Sequence, residues 1–289
     1  MRIVARLKKL DEILKLINLE VDVFLIDTPL SVKKISLDMY NHLDEIASYK
    51  KDIYLLINKM IHETDIESLK DILEVAKKPE ITAVVCGDMT VMVIAKEFGI
   101  EKKIIYQPGT FNTNSFDNEY FLIKNIKGIT ISKEITLEEI ERIFKNKKTE
   151  LSLVGHGFID MFYSKRNLLT NYFIYKNIEK ENIKENDSFR LKEEMRPDSL
   201  YPVFEDMGGT HVFRDKALES FAEIEVLEKH LDDFFIERIF INDEEYYDIL
   251  KAYQDKNFVP EFLNKYQDKY NKGFYYQYTE KLKGELSEN

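Results

Sequence analysis

The residue types best suited to chemistry fall in one stretch of the sequence, residues 150–173. It begins with the alternation typical of a strand and then breaks on Gly155-His156-Gly157. A histidine that leaves a strand between two glycines has little steric cover, so we predict that its imidazole faces a cleft. A turn with a loosely packed histidine is the alternative. Beyond the break an aromatic-rich segment predicts a helix, and its polar residues include Ser164, Lys165, Arg166 and Asn171.

A second polar segment, residues 201–212, is predicted to fold together with the first. It reads as a β-hairpin that turns at Gly208-Gly209. A metal bound between His156 and this hairpin is one interpretation, and an ordinary hydrogen-bonded hairpin is the preferred one. The candidate site residues of the segment are Glu205, Thr210 and His211.

These residues do not match the common catalytic arrangements of serine proteases or zinc peptidases. Serine-protease chemistry needs a serine within reach of a histidine whose ring is oriented by a third group. Ser164 lies eight residues past His156, has no obvious partner acid and belongs to no GxSxG turn. The five histidines show neither an HExxH motif nor other metal-ligand spacing. We therefore predict no metal site.

Composition narrows the class of protein. A chain of 289 residues, 44% of them apolar, is long enough for one α/β barrel of roughly 250 residues. The net charge of -11 disfavours a wide nucleic-acid footprint, which usually needs a basic face. The single cysteine, Cys86, lies in an apolar run. This excludes a disulfide within the chain and any zinc or iron–sulfur site built from its own thiolates.

Hydropathy along the chain predicts a cytoplasmic protein. The N-terminal residues already carry acids and lack the apolar core and cleavage site of a signal peptide. No apolar run approaches the roughly 18 residues of a membrane span, so we expect no membrane association.

Hydrophobic periodicity predicts the elements that must position the candidate residues. Strands and helices alternate eight times, which indicates parallel βαβ units closed into a barrel. No GxGxxG or GxxxxGK[ST] motif is present, which counts against a dinucleotide or P-loop fold. The predicted strands are residues 3–7, 21–26, 53–58, 81–86, 103–107, 129–132, 151–154 and 234–240. The predicted helices are residues 10–19, 37–49, 89–98, 116–124, 218–231 and 243–253, with two more opening at 64 and 136.

The predicted fold is a TIM-like (β/α)8 barrel over residues 1–256, with a long insertion after the seventh strand. The insertion spans residues 158–216, and its charged middle, 176–197, is predicted to be a loop. Residues 257–289 form a tail expected to pack on the barrel. In such a barrel the loops after the strands form the functional face. The polar residues just past the predicted strands are Asp27, Asn58, Asp88, Gln107, Glu134, His156 and Glu237. Each alone is explained by a loop or a helix cap, but together they predict a pocket at one barrel mouth.

Two patterns in the sequence resemble a known family. Residues 156–172 follow HG, six residues, then S-K-R-x-L-x-x-N-Y, and residues 201–211 read YPVFEDMGGTH. Both resemble signature blocks of the collagenase-like peptidase family, the U32 class of peptidases. Shorter matches in the same order are Gly87-Asp88, Ser132-Lys133-Glu134 and Ile236-Glu237.

The resemblance implies a TIM-like barrel and a choice of activities. Several members of the family act in oxygen-independent hydroxylation of RNA bases or quinone precursors. The branch that this chain resembles is associated with prephenate-dependent hydroxylation of the tRNA wobble uridine, as a short subunit paired with a longer paralogue. Contact with tRNA would then be made through the complex. A peptidase acting on collagen-like or unfolded peptides and a noncatalytic accessory scaffold remain alternatives.

The candidate site residues combine positions of the family motifs with polar residues at the barrel mouth. The expected catalytic residues are His156, Glu134, Asp88 and Ser164. The expected substrate-binding residues are Arg166, Lys165, Asn171, Glu205, Thr210, His211 and Glu237.

This chain departs from its relatives at the positions where many of them place iron–sulfur cysteines. Those positions read Ile159-Asp160 and Arg166-Asn167, and the insertion contains no cysteine. The Gly/Arg-rich turn after the second strand is replaced by Asp27-Thr28-Pro29-Leu30. We therefore expect no cofactor bound by this chain, and a reduced, accessory type of subunit.

Overall fold

The computed structural model describes residues 1–179 and 182–277 and contains a closed barrel of eight parallel strands. The strands in chain order are β1 (Arg2–Arg6), β2 (Val23–Asp27), β3 (Asp52–Ile57), β4 (Ile81–Cys86), β5 (Ile104–Tyr106), β6 (Gly128–Ile131), β7 (Glu150–His156), β8 (Asp160–Ser164), β9 (Arg190–Glu193), β10 (Arg196–Asp206), β11 (Gly209–Phe213), β12 (Ala217–Leu218), β13 (Asp233–Ile236) and β14 (Tyr270–Asn271). The barrel is closed in the order β1-β13-β7-β6-β5-β4-β3-β2, which confirms the predicted TIM-like fold.

Helices connect successive barrel strands on the outside, with one further helix in the insertion after β7 and two after the last barrel strand. They are α1 (Ile13–Asn18), α2 (Leu43–Ala47), α3 (Ile66–Val75), α4 (Met89–Glu97), α5 (Ser115–Ile123), α6 (Leu137–Phe144), α7 (Leu168–Tyr175), α8 (Ile224–Leu227), α9 (Asp243–Gln254) and α10 (Val259–Lys265). Short 3-10 turns occupy Leu10–Glu12, Asp38–His42, Glu63–Asp65, Glu101–Lys103 and Lys256–Phe258. Across the described residues, no helix is both long and apolar enough to cross a bilayer.

The barrel strands are apolar on both faces because both faces are covered. Side chains that point inward, such as Val4, Leu25 and Phe235, form a small cluster inside the ring, and the opposite faces pack against the helices. A polar network closes the amino-terminal end. There Asp233 accepts hydrogen bonds from Arg2 Nε and from the Tyr54 hydroxyl, each at 2.8 Å. The opposite end of the barrel is therefore the one that can hold a ligand.

The insertion after β7 is a sheet of four antiparallel strands, in the order β8-β11-β10-β9, together with α7. The prediction of a helix directly after the Gly-His-Gly break is wrong, because Asp160–Ser164 pairs with Gly209–Phe213 and the helix begins only at Leu168. The pairing of β8 with β11 joins segments about 50 positions apart, and this tertiary contact outweighs the local helical pattern.

The hairpin and the charged segment differ in detail from the predictions. The hairpin loop is Met207-Gly208, since Asp206 pairs with Gly209, one residue earlier than predicted. The segment predicted to be a loop contains β9, which pairs with β10, and two of its residues, 180 and 181, lie outside the described part of the chain.

The elements after residue 217 also differ from the predictions. A continuous helix over residues 218–231 is wrong, because Ala217–Leu218 pairs with Tyr270–Asn271 as a strand and the α-helical part is only Ile224–Leu227. The eighth barrel strand ends at Ile236, four residues earlier than predicted. Residues 257–277 pack on the barrel with Tyr270 and Tyr275 buried, and residues 278–289 of the predicted tail lie outside the described residues.

Candidate functional site

A cavity of about 320 Å³ lies at the carboxyl ends of the barrel strands, between the barrel mouth and the insertion sheet. The barrel contributes polar side chains from successive strand ends, and the insertion contributes the wall above them. The polar residues from the barrel and its loops are Arg6, Lys33, Asn58, Gln107, Thr110, Thr130, Lys133 and Glu237. Those from the insertion are Asp160, Tyr163 and His211.

Arg6 forms the floor of the cavity. Its guanidinium is almost completely buried, forms a close ion pair with Asp27 and contacts Glu237 Oε2 at 3.2 Å. Burial alone would lower the pKa of Arg6, but the two carboxylates outweigh it and raise the pKa above its ordinary value. Arg6 therefore stays charged, and it fixes the carboxylate of Glu237 against the cavity.

A second charged pair joins the loop after β2 to the insertion. Lys33 Nζ contacts Asp160 Oδ2 closely, while Asp160 Oδ1 is buried without a hydrogen-bond partner. Burial would raise the pKa of Asp160, but Lys33, Lys133 and His211 lower it below its usual range. The backbone N–H of Lys33 also donates to Asp206 at 2.6 Å, which ties the hairpin to the barrel.

His211 lies in the wall that the hairpin contributes. Its ring stacks on Tyr163 with centroids 4.7 Å apart, and the Tyr163 hydroxyl donates to the Gly208 carbonyl at 2.7 Å. His211 Nε2 lies 3.5 Å from Asp206 Oδ1, close enough for an ion pair but without the geometry of a hydrogen bond. The two family patterns therefore meet in space, as predicted, because β8 and β11 are neighbouring strands.

His156, by contrast, does not face the cavity, so the prediction of an imidazole exposed at the barrel mouth is wrong. Its side chain is completely buried, and Nδ1 is 3.0 Å from the Tyr253 hydroxyl. The aromatic rings of Phe221, Tyr253, Phe262 and Tyr270 surround it. Burial, with a smaller contribution from the charge of Lys269, lowers the pKa of His156 to about 3, so the ring is neutral near pH 7.

A β-bulge explains this orientation. Val154 points into the barrel, and strict alternation would place His156 on the same side. The pairing with β13 instead steps from Val154 opposite Phe235 to His156 opposite Ile236, so Gly155 is an extra residue in β7. A Cβ at Gly155 would lie 2.0 Å from the ring of Phe234, so only glycine allows this close approach.

The His-Gly pair instead positions Glu237. The backbone carbonyl of His156 accepts a hydrogen bond from the N–H of Glu237 at 3.0 Å. Gly157 has φ +120°, and a Cβ there would lie 2.7 Å from Cβ of Glu237. The pattern thus acts through its backbone, which holds Glu237 beside Arg6.

Glu205 and Thr210 lie on the hairpin strands, where they bind the amino terminus of α7 and do not line the cavity. Both are buried, and Glu205 Oε2 accepts from the N–H of Leu169 at 2.9 Å and from Thr210 Oγ1 at 3.0 Å. Glu205 also accepts hydrogen bonds from the backbone and hydroxyl of Thr170, and Thr210 Oγ1 lies 2.8 Å from the Arg166 carbonyl. A carboxylate at a helix amino terminus satisfies N–H groups that have no intrahelical acceptor. These two residues fix α7 on the hairpin.

Two of the expected catalytic carboxylates lie beside the cavity. Asp88 caps α4, since Oδ1 accepts from the N–H of Thr90 at 2.8 Å and Oδ2 accepts from that of Ile61 at 2.9 Å. Glu134 is half-buried, and its pKa is raised mainly by burial, with Asp160 adding to the effect. Asp88 and Glu134 directly follow Gly87 and Lys133, which line the cavity, but the two carboxylates do not line it themselves.

The remaining expected residues, Ser164, Lys165, Arg166 and Asn171, do not line the cavity. The Ser164 hydroxyl accepts from the N–H of Arg166 at 3.2 Å, and Lys165 contacts His62 on the loop after β3. The side chains of Arg166 and Asn171 are exposed. Of the expected catalytic and substrate-binding residues, only His211 and Glu237 line the cavity, and Asn58 and Gln107, predicted at the barrel mouth, line it as well.

Sequence reasoning missed several residues of the wall. Arg6 carried a usable signal, because it is the one charge in the predicted strand 3–7 and has the same orientation as the inward-facing Val4. Lys33 and Asp160 carried none, since they are 127 positions apart and meet only through the fold. Lys133 lies two residues past the end of β6 and directly before the expected residue Glu134.

The arrangement has consequences for hydrolytic and iron–sulfur chemistry. The Ser164 hydroxyl and the His156 ring belong to separate surroundings, so the expected serine and histidine form no nucleophile–base pair. The single cysteine, Cys86, is buried, and burial raises the pKa of its thiol, so this chain does not fit a cluster held by several thiolates. In the described part of the chain, no three His, Cys, Asp or Glu side chains are arranged to hold a metal ion.

Comparison with known proteins gives a consistent group of relatives. The model of a family described as "Peptidase family U32" matches residues 34–288. The chain is 28% identical over 206 residues to "tRNA hydroxylation protein P2" of Bacillus subtilis, a match covering 70% of this chain and 66% of that protein.

Two further relatives carry protease names. "Uncharacterized protease MJ0090" of Methanocaldococcus jannaschii is 32% identical over 127 residues, 42% of this chain and 30% of that protein. "Collagenase" of Porphyromonas gingivalis is 21% identical over 122 residues, 38% of this chain and 29% of that protein. Each match thus covers less than two thirds of the relative's own length.

Proposed function

This chain belongs to peptidase family U32, and we propose that it acts in the hydroxylation of tRNA at the wobble uridine. The observation that carries the proposal is the cavity, which is built jointly by the barrel mouth and the insertion. The similarity to "tRNA hydroxylation protein P2" extends over 70% of this chain and supports the same activity.

The cavity suits a small polar ligand better than a polypeptide. Its volume of about 320 Å³ is near the lower end of the roughly 300–1,000 Å³ range of small-molecule sites. Arg6 and Lys33 are held in place by carboxylates, so they can orient a ligand without first losing side-chain freedom. The hairpin covers this site and lowers its exposure to water.

We further propose that the chain works with a longer paralogous subunit in the cytoplasm. A net charge of -11 repels an RNA backbone, so a partner would supply most of the phosphate contacts. This chain would then contribute the cavity, and the partner would hold the tRNA.

The proposal is tested by mass spectrometry of tRNA nucleosides from a strain lacking the gene. Loss of hydroxyuridine, restored by a plasmid carrying the wild-type chain, is the expected result. Unchanged hydroxyuridine in the deletion strain rules the role out. Purification of the tagged chain tests the second part, for which a paralogue or tRNA is expected to copurify.

The protease names of two relatives favour peptidase activity as a second candidate. It predicts cleavage of gelatin by the purified chain that disappears in His156→Ala. The buried, neutral imidazole of His156 gives this candidate no nucleophile–base pair.

Substitutions in the cavity distinguish a noncatalytic accessory scaffold from the two activities. As a scaffold, the chain would restore hydroxyuridine even when the cavity carries substitutions such as Lys33→Met.

A further inference from the structure

The charges that surround the cavity nearly cancel. Arg6 is neutralised by Asp27 and Glu237, and Lys33 by Asp160. Lys133 forms no hydrogen bond or close ion pair within residues 1–179 and 182–277. A wall whose cations mostly have carboxylate partners favours a neutral ligand with both donors and acceptors over a multiply charged anion.

Polar groups left without partners define what that ligand must offer. Glu237 contacts Arg6 through Oε2 only, and its side chain keeps 19% of its surface exposed, which leaves Oε1 to accept a hydrogen bond. Gln107 donates to Thr130 Oγ1 at 3.3 Å, and its carbonyl oxygen accepts no bond from the described residues. The Lys133 ammonium is a free donor. The ligand must therefore present at least one N–H or O–H donor together with acceptor oxygens.

The apolar part of the wall combines aliphatic side chains with four aromatic rings. Tyr163, already stacked on His211, lies beside the half-exposed Phe162, and Phe158 and Phe213 complete this side. Proteins recognise unstacked nucleobases by such a combination, with aromatic rings against the base face and polar groups on its Watson–Crick edge.

We infer that the cavity receives a uracil ring turned out of an RNA strand, with Glu237 as the acceptor of its N3–H. The inference rests on the proposed function and names the residue that determines its specificity. A ring carbonyl oxygen of uracil then accepts from Lys133, which completes the alternation of acceptor, donor and acceptor along the uracil edge.

The same contact discriminates against cytosine. Cytosine has a lone pair at N3 where uracil has an N–H, so the Glu237 carboxylate would face an acceptor with no proton between them. N3-methyluridine likewise lacks the donor and adds a methyl group. A hydrogen bond to a charged acceptor that is lost in a buried site changes affinity by about 10- to 100-fold.

The test compares nucleosides on the purified full-length chain, with whatever partner copurifies, by NMR titration at millimolar uridine, cytidine and N3-methyluridine. Uridine is expected to bind about 10- to 100-fold more tightly than either analogue. In Glu237→Gln the uridine-to-cytidine ratio should fall toward one, because an amide offers both a donor and an acceptor. Glu225→Gln is the matched control, since it alters an exposed carboxylate that pairs with Lys256 away from the cavity, and should keep the ratio.

Equal affinity for uridine and N3-methyluridine, or the absence of binding by all three nucleosides, overturns the inference. The comparison on the wild-type chain needs no variant, so it decides the question even if Glu237→Gln does not fold. Failure of the proposed function is a separate result. In that case the deletion strain keeps its hydroxyuridine whatever the titrations give.

Discussion

Removing the carboxylate of Glu205 should release the amino terminus of α7 and destabilise the insertion. In Glu205→Ala the N–H groups of Leu169 and Thr170 lose their acceptor, while Thr210 Oγ1 still donates to the Arg166 carbonyl and accepts from the N–H of Leu168. Two unsatisfied N–H groups at about 1–1.5 kcal/mol each, with a small contribution from the space left behind, predict a loss of about 2–4 kcal/mol. Glu205→Gln keeps one acceptor oxygen and should lose about half as much.

Urea unfolding followed by circular dichroism measures the total change for Glu205→Ala and Glu205→Gln, and hydrogen exchange locates it. Faster exchange is expected in residues 168–175, with little change in the barrel strands. Glu193→Gln, an exposed carboxylate on β9, is the control and should stay within about 0.5 kcal/mol of wild type. If Glu205→Ala also stays within that range, or if exchange in α7 is unchanged, the assignment of Glu205 as the helix cap is refuted.

Three further substitutions test the barrel and the cavity. His156 has a folded pKa of about 3, below its unfolded value, so wild-type stability should fall as pH drops from about 6.5 toward 3, at up to about 1.4 kcal/mol per unit. In His156→Gln this slope should disappear from pH-dependent denaturant melts, and an unchanged slope would contradict the buried, neutral ring. Gly155→Ala should cost about 3 kcal/mol because its Cβ meets the ring of Phe234, and Phe234→Leu should recover part of the loss in the double variant. Wild-type stability of the single variant would show that the bulge tolerates a side chain. Lys33→Met leaves its carboxylate partner unpaired in the cavity wall, so the complemented strain should lose hydroxyuridine by tRNA mass spectrometry, whereas the exposed Lys70→Met should not.

The barrel could be predicted from the sequence because its determinants are local. Apolar runs such as Ile81–Cys86 mark strands buried on both faces, and Leu137–Phe144 carries its own cap at Thr136 and a helical apolar face. Alternation of such units leaves few arrangements other than a closed parallel ring. The proximity of the two motif blocks was also predictable, since one contains the strand that the other pairs with.

The composition of the site was decided by the tertiary structure. One extra residue in β7 turns His156 from the cavity to an aromatic core, and its effect depends on Phe234 from a strand far along the chain. Lys33 and Asp160 meet only because the insertion sheet folds over the loop after β2. Local patterns determine which residues form strands and helices, because those depend on near neighbours. Which side chains share one cavity depends on strand register and on contacts between distant segments, and these exist only in the folded chain.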